Sequence, residues 1–86
     1  VPLPDATARK KIFEIHLRET PLRDVNLDQL IELADGFNGA EIEWTCTTAK
    51  KKSLERYLAS KNGKRKLELN HDDLISALQE INKRKH

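Results

Sequence analysis

Asp5, Asn26, Asn38 and Asn70 each precede a run in which apolar residues recur at three- and four-residue spacing, and this fourfold punctuation limits most what the chain can become. A side-chain oxygen at such a position accepts from the N–H groups that the first turn of a helix leaves free, so each marks a helix start. Stop signals fall between the runs: Thr20-Pro21 after the first, Gly36 after the second and Asn62-Gly63 after the third. The expected helices cover about 5–19, 27–35, 39–59 and 71–83.

Each run predicts one buried face. Ala8, Ile12 and Ile15, with Phe13 and Leu17 beside them, form the first, and Leu27, Leu30, Ile31 and Ala34 the second. Ile42, Cys46, Ala49, Ser53 and Tyr57 form the third, flanked by Leu54 and Leu58; Leu74, Ala77, Leu78 and Ile81 form the fourth. Asn70 and Asp73 suit a capping pair, and Asp72 and Asp73 suit the positive end of a helix dipole. The 60–66 connection is polar and basic, and the alternation Leu67-Glu68-Leu69 leaves room for one very short extended segment near 66–69.

No such helix can bury its stripe alone, and 86 residues hold one modest core, so the fold expected is all-α, a compact four-helix bundle in a single domain. A hydrophobic fraction of 37% and a charged fraction of 35% exclude both a disordered tail and a membrane span. Val1-Pro2 opens a chain without any Met and without a targeting segment, which reads as a piece of a longer protein. Cys46 is the only cysteine, which excludes a disulfide framework and suits a small buried hydrophobe in a reducing, cytoplasmic setting.

The chemistry of an independent enzyme is missing. Gly36, Gly39 and Gly63 are too scattered to form a phosphate-cradling loop. His16, His71 and His86 have no ligand-like spacing to one another or to Cys46, so neither a zinc site nor a cysteine–histidine nucleophile is indicated. The carboxylates read as solvated faces or helix-start residues.

One constellation remains. It comprises Val1-Pro2-Leu3-Pro4-Asp5 with Arg9, the stretch Ile12-Phe13-x-Ile15-His16, and Asp35-Gly36-Phe37-Asn38-Gly39-Ala40-Glu41-Ile42-Glu43 running on to Cys46. Together with the Leu69-Asn70-x-Asp72-Asp73-Leu74 start of the last helix, it resembles the C-terminal helical lid, or small subdomain, of classical AAA ATPases over nearly the whole of 1–86. Other AAA+ clades carry a phosphate-touching arginine in the corresponding helix, and its absence here favours the classical clade.

The resemblance implies a lid that closes over the adenosine of ATP or ADP, with Mg²⁺ held in the parent protein, and that hydrolyses nothing alone. It would place Gly39 and Ala40 beside the adenosine and His16 near the adenine and ribose. Small residues at a helix start let a ligand approach the backbone closely, and an imidazole can stack or hydrogen-bond without charge. The implied partners are the large ATPase subdomain of the same chain, neighbouring subunits of a ring, expected to be a hexamer, and protein substrates that the parent unfolds or remodels. The stiff Pro2-x-Pro4 entry suits the end of an interdomain joint.

Departures from the family pattern are Thr45 in place of an aliphatic residue, Trp44 in place of a small one, and the polar run Lys50-Lys51-Lys52. Trp44 lies about 200° around the helix from Ile42, so it either packs within the lid or meets a neighbouring subunit. The terminal residues Arg84-Lys85-His86 lack the hydrophobic-Tyr-x ending that many proteasomal ATPases carry, which points away from a proteasome activator.

The alternative reading is a free-standing basic helical module that binds nucleic acid through helix three and the 61–66 segment. Sixteen Lys and Arg against fourteen Asp and Glu leave a net charge of only +2, which disfavours it. A pure protein-interaction bundle is the third reading.

Overall fold

The computed structural model describes residues 3–60 and 66–85. The expected Asn62-Gly63 turn, most of the basic 61–66 segment, Val1-Pro2 and His86 lie outside the described residues. The elements in chain order are α1 (Ala6–Leu17), β1 (Leu22–Arg23), α2 (Leu27–Leu33), α3 (Gly39–Ala59), β2 (Leu69–Asn70) and α4 (His71–Arg84). The architecture is the expected all-α bundle, with only two-residue strands besides.

All four helix starts are closed by the residues that the sequence marks. Asp5 accepts from the Ala8 N–H at 2.8 Å and Asn26 from the Gln29 N–H at 3.2 Å. Asn38 and Glu41 exchange side-chain and backbone bonds of 2.8 Å each, a reciprocal capping box, and Asn70 and Asp73 form a second box with bonds of 2.8 and 3.2 Å. After α2 the chain reverses through Gly36, whose φ of +88° is a left-handed conformation that a Cβ would strain.

The core joins Phe13 and Leu17 of α1, Leu30 and Ile31 of α2, Ile42, Cys46 and Ala49 of α3, and Leu74, Ala77, Leu78 and Ile81 of α4. Ala34, Phe37 and Leu69 complete it from the connections and β2. The long α3 is its axis, packed chiefly on α4 and then on α1. Two hydroxyls lie within its buried stripe, and both are satisfied by their own helix. Thr45 Oγ1 donates to the Glu41 carbonyl and Ser53 Oγ to the Lys50 carbonyl, each at 2.8 Å.

Three sequence expectations change. The inward face of α1 is Arg9, Phe13 and Leu17, and Ile15 is 59% exposed. An arginine can occupy that face because its Nε donates to the buried Ile31 carbonyl at 2.9 Å and its Nη1 to the Pro4 carbonyl at 3.2 Å. In the second half of α3, Leu54, Tyr57 and Leu58 are exposed, Leu58 at 71%. Arg56 reaches across there to clasp both oxygens of Asp73, so a polar pair faces the start of α4. The extended segment sits at Leu69–Asn70 and pairs in parallel with a strand that the sequence did not reveal, Leu22 opposite Leu69 and Arg23 opposite Asn70.

Candidate functional site

Residues 35–41, the turn after α2 together with the first residues of α3, are held from both sides. From α1, Arg9 approaches the Asp35 carboxylate at 3.6 Å while its other bonds fix Ile31 and Pro4. From the end of α4, the Lys85 ammonium donates to the Gly36 carbonyl at 2.9 Å, stands 4.4 Å from the centroid of the Phe37 ring and lies 3.3 Å from Glu41 Oε1. Phe37 is buried beneath it.

Gly39 and Ala40 are the first two residues of α3. Asn38 takes up the Glu41 N–H, and the Ile42 N–H reaches the Asn38 carbonyl, so the amides of Gly39 and Ala40 are those that helix geometry leaves without an acceptor in the helix. The protein's own packing does not require a glycine at 39. Its conformation is ordinary helix, and an added Cβ would meet only Ile12 Cδ1, at 3.8 Å, a normal van der Waals distance. Ala40 is exposed.

His16 is half-buried in the last turn of α1. It follows Ile12 by one helical turn on the same side, about 6 Å of axial rise from the residue that borders Gly39. Its carbonyl accepts from Lys50 Nζ at 2.6 Å. Of the three expected site residues, Gly39 therefore lies against α1 at Ile12, His16 stands one turn further along α1, and Ala40 is exposed beside Gly39.

A groove of about 910 Å³ lies elsewhere, between the end of α1 and the 22–27 segment, lined by Ile15, Leu17, Leu22, Val25 and Leu27 with Arg18 at its rim. None of His16, Gly39 and Ala40 lines it. Sequence reasoning missed this groove because it turned Ile15 inward and left 22–25 as a plain connection. A hollow of about 400 Å³ between α3 and α4 holds Trp44, 43% exposed, with the Arg84 guanidinium carbon 5.4 Å from its ring centroid. Trp44 therefore packs against α4 on one face and meets solvent on the other.

Burial pushes the Cys46 thiol up to about 12, so it stays protonated and unreactive at neutral pH. The Arg56 guanidinium is held further above its usual value by its hydrogen bond to Asp73. Several of the clustered cations are already engaged within the protein: Lys50 with the His16 carbonyl, Lys52 with Glu80 at 3.2 Å, and Lys85 with the 35–41 turn. Among the described residues, no helix is long and apolar enough to cross a membrane.

A family model described as the AAA+ lid domain matches residues 24–69. The proteasome-activating nucleotidase of Saccharolobus solfataricus is 39% identical over 83 residues, covering 95% of this chain and 19% of its own length. The 26S proteasome regulatory subunit 6A of Encephalitozoon cuniculi is 36% identical over 85 residues, 98% of this chain and 19% of its own. The cell division cycle protein 48 homolog of Archaeoglobus fulgidus is 47% identical over 57 residues, 65% of this chain and 8% of its own. The chain spans about a fifth of the length of the first two relatives. The expectation drawn from the terminal residues, away from proteasomal ATPases, finds no support in these similarities.

Proposed function

Because the chain belongs to the AAA+ lid domain family, we propose that it is the lid of an ATP-driven protein-remodelling or unfolding ATPase, closing over the adenosine of bound nucleotide and contacting the next subunit of a hexameric ring. Gly39 and Ala40 would receive the adenosine at the start of α3, and His16 would border the adenine and ribose from α1. Hydrolysis, and the Mg²⁺ that accompanies the phosphates, belong to parts of the parent protein outside this chain.

The observation that carries the reading is Gly39. Neither its backbone conformation nor its neighbours call for a glycine, and its small size leaves room for a ligand to approach the first-turn amides closely, which supports the reading. A Cβ with two methyls at 39 would stand in the path of a ligand approaching the free amides. The two proteasomal relatives support protein substrates, and a cytoplasmic site of action goes with them. Engagement of Lys50, Lys52 and Lys85 inside the protein weighs against the nucleic-acid alternative.

The test is Gly39→Val in the intact ATPase, with ADP binding followed by calorimetry. Affinity is expected to fall by about tenfold, equal to about 1.4 kcal/mol, with the fold of the lid unchanged by circular dichroism. Unaltered ADP affinity would refute the role given to the start of α3.

A further inference from the structure

We propose that Lys85 is a positioning residue for the adenosine-facing turn, tying the C-terminal end of α4 to the first-turn amides of Gly39 and Ala40; this rests on the reading of that turn given above. Lys85 touches the turn at three separate points: the Gly36 carbonyl at 2.9 Å, the face of Phe37 at 4.4 Å and Glu41 Oε1 at 3.3 Å. Its base is fixed as well, since its own N–H bonds to the Ile81 and Asn82 carbonyls at 3.2 Å each. The ammonium is therefore presented from the C-cap of α4, and only 23% of the side chain is exposed.

The three contacts have different consequences for a ligand at Gly39 and Ala40. The bond to Gly36 and the cover over Phe37 set where the turn sits relative to α4. The Glu41 oxygen that Lys85 meets is the same one that caps the Asn38 N–H, so the ammonium steadies the capping box from outside. It also offsets the Glu41 charge, which stands within one residue of the amides and opposes an anionic nucleotide. Movement or loss of charge at the end of α4 is thereby felt at the start of α3, although the two are joined only through space.

The experiment uses the intact ATPase carrying Lys85→Gln, Lys85→Arg or Gly39→Val, with ADP affinity by calorimetry and amide hydrogen exchange on the same samples. Lys85→Gln is expected to weaken ADP about fivefold and to speed exchange within residues 36–42 alone, while Lys85→Arg stays within about twofold of the unmodified protein. Faster exchange throughout α1, α3 and α4 would show a merely structural role and overturn the proposal. If Gly39→Val weakens ADP and Lys85→Gln does not, the coupling is refuted and the adenosine-facing turn stands. If neither variant changes ADP affinity, the lid reading of the turn falls and the role of Lys85 falls with it.

Discussion

Replacing Arg9 with Met isolates what a buried cation contributes to this bundle. The methionine keeps most of the stem, so little packing is lost, but the Ile31 carbonyl at 2.9 Å and the Pro4 carbonyl at 3.2 Å lose their donors. Removing a charged donor from a buried acceptor costs about 1.5–3 kcal/mol, and the part-buried second bond adds about 1 kcal/mol. The approach to Asp35 contributes close to nothing, because that carboxylate is 86% exposed and the separation is 3.6 Å. The sum is about 2.5–4 kcal/mol, against a total of roughly 4–13 kcal/mol expected for a domain of this length. Urea unfolding followed by circular dichroism would register it as a fall in midpoint of about 2–4 M, taking a slope of about 1–1.5 kcal/mol/M. Arg9→Lys should lose less, since one ammonium can keep one of the two carbonyls, and Asp35→Ala should change stability by less than about 0.5 kcal/mol. A loss below about 0.5 kcal/mol for Arg9→Met would refute the claim that the guanidinium holds the inner face of α1.

Two further predictions concern the core. Because the Cys46 thiol is raised from 9.0 to about 12 in the folded protein, folding favours the protonated form, and the stability this contributes is present below pH 9.0 and is lost as pH rises toward 12. Relative to Cys46→Ala, whose other titrating groups are the same, the unmodified protein should lose stability over that interval with a slope approaching about 1.4 kcal/mol per pH unit; parallel curves would contradict the burial argument. On α1, Ile15→Glu should cost less than about 0.5 kcal/mol while Phe13→Ala costs about 3–5 kcal/mol in the same urea assay, and the reverse order would restore the face that the sequence suggested.

The helix starts were legible because capping is local: Asp5, Asn26, Asn38 and Asn70 need only the N–H groups two or three residues onward. Gly36 was legible for a similar reason, as a left-handed residue closing a helix. The inner face of α1 was not, because the hydrophobic spacing of Ala8, Ile12 and Ile15 is as regular as that of the true face. What decides between them is the Ile31 carbonyl, which rewards an arginine at 9 and lies on another helix. The exposed Leu54 and Leu58 were misread likewise, since Arg56 owes its position to Asp73. Of the candidate site, the small residues at 39 and 40 could be read in sequence, whereas Lys85 could not. It reaches the turn from 49 residues further along the chain, and a basic segment carries no signal of what it touches.

The parallel bridge between β1 and β2 bears on the order in which the molecule assembles. Its residues pair across most of the chain, and the Leu69 N–H also reaches the Pro21 carbonyl at 2.9 Å, whereas helices and their caps need only near neighbours. Helical turns form within about a microsecond, but this bridge must bring together strands separated by α2, α3 and their connections. We expect it to act as a latch that shuts after the helices have met, so that native pairing there would report completed folding. Since loop-closure entropy grows only logarithmically, doubling the intervening length would cost about 0.6 kcal/mol, so residues inserted between α3 and β2 would delay the latch far more than they would weaken it.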